Sequence, residues 1–569
     1  MKNILALVLS ILLLGSCAVV TASAEETLYT PGTYTATGIG RNANLTLEVT
    51  FDETSITDIR VIHSETPTIG GLALDLLMDE ALEHQTSNLD GVSGATLSSF
   101  GFRSALADAI KQAGGDPSAM EKYTRPAQYE VTQADVIVIG AGGAGLTAAL
   151  TAYEGGASVI LLEKSGVVGG NIIAAQSGFN AADASVQAGI EGTDKASFKE
   201  MQMNNELVRE ELVDALVENS GAAADWIAVH GVEIAVSDRN PLQLTATADG
   251  TTTITIVNAL KTALDATDIM LYTDTRATEL IQDESGRTVG VKAIGRDGEE
   301  ISFYGAKGVI LATGGFGKDH ERVLSYRPDY ADTITDETAP TTGDGLDMAT
   351  AVGAVLVDMG EINMHTHVLP NYGMLTSIYM PGGRQTTGIW VNKEAQRFVK
   401  EAFNNDGNVS VLLSQTDGEA YVIFDEEGMN DTLRHLLELG VVKSAGSAEE
   451  LGQKLGLDGE ALAETIAAYN EDIADGVDDA FGKQGIEILD GDTLYGYRFK
   501  VGVHYFMGGV LIDPETHVID ASGAAIPGLY AAGEVTGGVQ GTTRIDGTGI
   551  GDSLIFGHVA GQSIIKDND

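Results

Sequence analysis

Two short glycine-bearing runs and a single thiol bound the chemistry open to this chain. The first run is GAGGAG, Gly140 to Gly145, inside ADVIVIGAGGAGLTAALTAYEGGASVILLEK. An apolar strand pattern precedes it, a helical pattern follows, and a second apolar strand ends at Glu163. In that setting Gly-x-Gly-x-x-Gly predicts a dinucleotide site. Gly140 allows the tight turn, Gly142 lets a pyrophosphate approach the backbone, and Gly145 lets helix and strand pack closely. The helix start offers unpaired N–H groups to phosphate, and Glu163 can accept from a ribose hydroxyl. The second run is DGVSGATLSS, Asp90 to Ser99. Its Thr96 stands at a small, open corner ahead of a helical pattern carried by Leu97, Phe100, Leu106, Ala109, Ile110 and Ala113. Either Ser93 or Thr96 caps that helix, or the Thr96 hydroxyl carries something large. The thiol is Cys17, the one cysteine. A single cysteine excludes internal disulfides, iron–sulfur clusters and c-type haem, so redox chemistry here needs another cofactor.

The elements that hold these groups divide the 569 residues into several units. A hydrophobic fraction of 43% is ample for packed cores. Residues 28–115 alternate as strands in GTYTATGIG, ANLTLEVTF and ITDIRVIHSET, then turn helical near 71–83 and 98–113. A Gly-, Pro- and charge-rich linker follows, 113–130. From 131 onward VIVIG, VILLE, KGVILATGG and GLYAAGE recur far apart, as buried parallel strands do. Between about 355 and 495 the texture becomes helical, acidic and alanine-rich, as in a domain inserted into the sheet domain. The formal charge of −49 disfavours nucleic acid and anionic membrane surfaces as partners. At the N-terminus Lys2 precedes an apolar run, Ile4 to Leu14, too short for a comfortable membrane span. This reads as a signal peptide, residues 1–24. LLGSC resembles a bacterial lipobox with Cys17 as the lipidated residue, and cleavage after Ala24 is the alternative. The expectation is an exported protein held at the cell surface by lipid.

Beyond the fingerprint, GGNIIAAQSGFNAA (169–182), ATGGFG (312–317), TGDGLDMA (342–349) and GLYAAGEVTGG (528–538) resemble the fumarate reductase and succinate dehydrogenase flavoprotein family. The resemblance runs from about 131 to 565 and is nearest to the exported fumarate and urocanate reductases. It implies an α/β fold, in which a Rossmann-like FAD-binding domain (131–354 and 498–569) carries an inserted α+β capping domain (355–497). It implies noncovalent FAD, held at Gly140, Gly142, Gly143, Ala144 and Gly145. Further contacts fall on Glu163 and Lys164, Gly170 and Asn171, Gly314 and Asp344, and Gly533 and Glu534. DGVSGAT, PGTYTATGIG and HSETP resemble a small N-terminal α+β FMN-binding domain, 28–115, in which a flavin transferase joins FMN to the threonine. That implies covalent FMN at Thr96, feeding electrons to FAD from an upstream membrane donor.

Reducing an activated C=C bond requires a hydride at the β-carbon, a proton at the α-carbon and cations on the activating oxygen. The resemblance supplies candidates. His504 in HYFMGG and Arg544 in QGTTRIDG match substrate-binding positions. His365 in NMHTH matches a further substrate histidine, and Arg384 matches a proton-path arginine. Departures stand beside these matches. Asn405 occupies the position of the family's proton-donating arginine, Pro381 that of a proton-path glutamate, and Phe506 that of a threonine. A less charged pocket, with Asn405 and Phe506 at its substrate end, disfavours fumarate. It fits a small unsaturated acid or carbonyl with one apolar or aromatic end. Tyr379, Tyr505 and ordered water are the candidates for the proton. The alternatives are a dehydrogenase forming a C=C bond, and a fumarate reductase proper. His365 and His367 show no third ligand for a metal.

Overall fold

The computed structural model describes residues 27–568 except 66, 127–128, 176, 247–250, 371–372, 375–387, 402–405, 474–479 and 483–487. Cys17, Tyr379, Pro381, Arg384 and Asn405 lie outside the described residues.

The first unit is an antiparallel sheet of β1 (Gly32–Gly38), β2 (Leu45–Phe51) and β3 (Ile56–Ile62), covered by α1 (Leu72–His84) and α2 (Thr96–Gln112). In β2 the apolar residues Leu45, Leu47, Val49 and Phe51 alternate inward, the period-2 pattern of a sheet with one buried face. Leu106, Ala109 and Ile110 of α2 are buried as expected, but Leu97 and Phe100 are exposed, and Phe102 fills the core instead. The linker is tied down: Arg125 pairs with Glu80, and Tyr123 stacks on His84 at 3.6 Å.

The second unit is built on a sheet whose parallel core is β4 (Gln133–Ile139), β5 (Val159–Leu162) and β6 (Met270–Tyr272). Beside β4 runs β9 (Glu300–Leu311), also parallel, and an antiparallel meander of β7 (Arg276–Gln282) and β8 (Thr288–Ile294) hangs on β9. The late strand β14 (Ala525–Ala531) returns to pair in parallel with β9. All four predicted apolar strands therefore lie in one sheet. Between β4 and β5 runs α3 (Gly143–Glu154), and the C-terminal helix α4 (Thr548–Lys566) packs on it.

The inserted region combines helices with an antiparallel sheet of β10 (Ile362–Leu369), β11 (Ile389–Asn392), β12 (Glu419–Phe424) and the long β13 (Leu494–Phe506). The expected division at 497/498 falls inside β13, which runs through it without a break. Trp390 is buried here, whereas Trp226 is half-buried and donates Nε1 to Glu154 at 2.7 Å.

Candidate active site

The β4–α3 turn is built as the spacing requires. Gly140 has φ +100°, and a Cβ there would meet the Ala312 carbonyl at 2.3 Å. A Cβ at Gly145 would lie 1.7 Å from the Gly140 carbonyl, so only glycine lets α3 seat against the turn. Gly142 differs. A Cβ there would meet nothing nearer than 3.7 Å, and no side chain caps α3. Protein packing therefore does not demand this glycine; the open space and the uncapped N–H groups fit a dinucleotide pyrophosphate.

That space opens into a cavity of about 930 Å³. Gly142, Gly143, Ala144, Glu163, Lys164, Gly170, Asn171, Gly314, Asp344, Gly533 and Glu534 line it, as does Gly140, while Gly145 packs behind the wall. Several of these side chains already hold the cavity's shape. Glu163 accepts from the Ala141 N–H at Oε2 and twice from Ser165 at Oε1, bracing two loops, and Oε2 keeps lone-pair capacity for a ribose hydroxyl. Lys164 pairs with Asp344 at 2.9 Å, and Arg276 binds the same carboxylate through two nitrogens. Burial would raise Asp344, but these two cations outweigh it and bring it to about 2. Asn171 accepts from Thr338 and donates to Glu534 at 3.2 Å.

The same cavity reaches His365, His504, Tyr505 and Arg544. Strand pairing brings the histidines together: His365 of β10 lies opposite Gly502 of β13, and a short strand at 334–335 pairs beside residues 502–503. This delivers Asp336, a residue no motif announces. His365 Nδ1 lies 2.8 Å from its carboxylate and His504 Nδ1 lies 3.1 Å away. The two rings stack at 3.5 Å. Burial pushes Asp336 up, yet the two imidazoles outweigh it and hold the carboxyl well below its usual range. Burial and the adjacent His365 bring His504 down to about 4, so at neutral pH its Nδ1–H faces Asp336. His367, its neighbour but one, is a core residue: it lies 3.0 Å from Tyr497 Oη and stacks on Phe499.

Arg544 sits over Tyr505, its Cζ 5.2 Å from the ring centroid. Its loop is anchored by Asn180, which donates to Asp546 O and Thr548 Oγ1. Tyr505 Oη donates to Asp552 at 3.3 Å. A second buried acid pair stands behind Gly315 and Gly317: Glu534 accepts from the Phe506 N–H, and Glu337 from the Gly317 N–H. Burial, then the charge of Glu534, raises Glu337 well above the usual carboxyl range. Phe506 departs from expectation. Its ring is 1% exposed, stacks on Phe316 at 3.7 Å and is not part of the lining. The reason is a register shift in β13. Tyr505 pairs with Asn363 and Val503 with Met364, so His504 is the extra residue, His504 and Tyr505 both reach the cavity, and Phe506 turns to the core.

Thr96 is the first residue of α2 and is exposed; neither it nor Ser93 caps the helix. Its loop lies on the second unit. Gly166 N donates to Ser93 O at 3.1 Å, and Val167 packs into the first unit's core. Glu163 and Lys164 of the cavity wall are only a few residues away along that chain.

Comparisons with known proteins agree with this geometry. A family model described as FAD binding domain matches residues 135–550, and one described as FMN-binding domain matches 40–111. The chain is 33% identical to urocanate reductase of Eggerthella lenta, covering 93% of this chain and 91% of that protein. It is 30% identical to NADH:acrylate oxidoreductase of Vibrio harveyi, covering 94% of this chain and 61% of that protein. The open conformation of a flavocytochrome c3 fumarate reductase matches with a TM-score of 0.70 and 30% identity, covering 76% of this chain and 78% of that one.

Proposed function

We propose that this chain, which belongs to the FAD-binding flavoprotein family and adds an FMN-binding domain to it, reduces the C=C bond of a small enoate or enone bearing one carboxylate or carbonyl. The observation that carries this reading is one cavity joining the nucleotide cradle at Gly142 to Arg544 and the His365–Asp336–His504 cluster. FAD, when bound there, supplies hydride chemistry at the β-carbon. The chain's own groups do the rest. Arg544 grips the activating oxygen and stabilises charge as it develops. Asp336 fixes both imidazoles by their Nδ1 atoms, so His504 meets substrate through Nε2. Because burial keeps His504 neutral, the fixed positive charge beside it among the described residues is Arg544. That favours one anionic or carbonyl handle over two carboxylates. Two relatives are named for urocanate and acrylate, both monocarboxylates, and others for fumarate, a dicarboxylate, so the single-handle reading rests on the site.

The finer features belong to the same reading. FMN is carried on the Thr96 hydroxyl by a flavin transferase and passes electrons to FAD. The signal and lipobox at Cys17 hold the protein at the bacterial surface, near a membrane donor. Arg384 and Asn405 act at the substrate end. The test is to reduce the flavins anaerobically and follow their reoxidation by fumarate, urocanate, cinnamate-type acids and enones. Fast reoxidation by a monocarboxylate enoate or an enone, but not by fumarate, is expected. Reoxidation by fumarate alone overturns the single-handle reading, and rapid FAD bleaching by a saturated analogue of the acceptors would reverse the direction.

A further inference from the structure

The reaction needs a proton at the α-carbon, and the side chains around Arg544 differ in whether they hold one to give. Arg544 is required charged, against the substrate's oxygen. The Nδ1–H of His504 is turned to Asp336. Lys164 is engaged by Thr342 and Asp344. Tyr505 lines the cavity between His504 and Arg544, and it keeps its proton at neutral pH because burial and the facing Asp552 raise it well above the usual phenol range.

Tyr505 also has a partner able to resupply it. Asp552, on α4, is 1% exposed. Its Oδ2 accepts from Gln540 Nε2 at 3.0 Å and lies 3.3 Å from Tyr505 Oη. Ionised, it takes the phenol O–H; protonated, it donates to Oη and frees the phenol proton for substrate. Its Oδ1 is buried without a partner among the described residues. An ionised carboxylate with a bare buried oxygen is costly, so this arrangement favours the acid form. We propose that Tyr505 is the proton donor to the substrate α-carbon and that Asp552 restores its proton. The inference rests on the reductase reading given above.

The electron pair of the C=C bond would form the new bond from the α-carbon to the Tyr505 proton, the O–H pair staying on the phenolate; the hydride at the β-carbon is what FAD, bound in the cradle and reduced, would supply. The Tyr505 phenolate then takes the Asp552 proton. The Asp552 carboxylate regains a proton from water once product leaves. Arg544 over the ring stabilises the transient phenolate.

Burial lifts Asp552 to about 6, eased by hydrogen bonds from Gln540 and Tyr505 and reinforced by the charge of Glu534. Among the described residues, the titratable groups that act on it are Tyr505 and Glu534, with Arg544 over the Tyr505 ring. Asp552 carries its proton below that value, so turnover falls as pH rises through about 6.

The experiment uses the flavin-loaded protein with whichever enoate reoxidises the wild type. Tyr505→Phe is expected to lose about 100-fold in kcat, the scale of a general acid, with KM and flavin content little changed. Asp552→Asn is expected to abolish the pH limb. Without turnover, an infrared titration follows the Asp552 carboxyl band, absent in Asp552→Asn. In Tyr505→Phe the band titrates at higher pH, since the hydrogen bond that favours the carboxylate is gone. Tyr505→Phe turning over within a few-fold of wild type, or an unchanged pH limb in Asp552→Asn, overturns the relay while leaving the reductase reading intact. If no acceptor reoxidises the wild type, the reductase reading fails and the relay fails with it.

Discussion

At the scale of single residues, the substrate end of the cavity is organised by acids that belong to no motif. Asp336 receives both imidazoles and so decides which nitrogen each presents. Asp336→Asn offers one acceptor and one donor in the same space, so one imidazole must change tautomer or lose its partner. The expected result is a rise in KM for the acceptor of about tenfold, the scale of one charge-assisted hydrogen bond. Stability carries a separate signature. Asp336 is held below its ordinary range, so its contribution is complete above about pH 4 and is lost as pH falls through the lower native value. Acid unfolding of Asp336→Asn, followed by circular dichroism, is therefore expected to show a shallower pH dependence below about pH 4.

Among the elements, the loop before α2 and the loop after β5 meet through Gly94 and Gly166. Gly94 has φ +86°, and a Cβ there would stand 2.9 Å from Val167 Cγ2. Gly94→Val combines a strained backbone with a clash at the junction. A cost of about 1–3 kcal/mol is expected, read as a lower melting temperature. Electron transfer from the first unit to the second should slow in stopped-flow traces, while turnover with a dye that reduces FAD directly persists. Equal rates with both donors would show that this junction does not couple the units. Helix α2 also shows the limit of periodicity. Leu97 and Phe100 fit the helical spacing yet face solvent beside Thr96, because 3.6-residue spacing marks a stripe without saying what covers it.

In the molecule as a whole, the FMN-binding unit touches both parts of the second unit. It meets the FAD-binding sheet domain through Ser93 and Val167, and the inserted region through Asn44, which donates to Glu438 at 3.1 Å. Thr96 faces outward from this junction. Thr96→Ala is expected to remove flavin fluorescence from the denatured polypeptide while leaving FAD bound in the native protein. Activity with the physiological donor should fall at least tenfold, with dye-driven activity retained. Undiminished turnover with the physiological donor would exclude Thr96-bound FMN as a relay.

The sequence by itself determined the nucleotide turn, the parallel strands and the two-flavin organisation, since each is written in residues adjacent along the chain. A glycine three or five positions away decides whether a helix can seat on a strand, and a run of apolar residues decides whether a strand is buried on both faces. Tertiary structure decided which acids govern the chemistry. Asp336 lies 168 residues from His504 and 29 from His365, and only the pairing of β10 and β13 with the strand at 334–335 joins them. Tyr505 and Asp552 are 47 residues apart, on a strand and a helix. A register shift at His504, invisible in the motif HYFMGG, put His504 and Tyr505 together on the cavity and left Phe506 in the core. Long-range pairing and burial set these contacts and their proton affinities, and neither is encoded in local spacing.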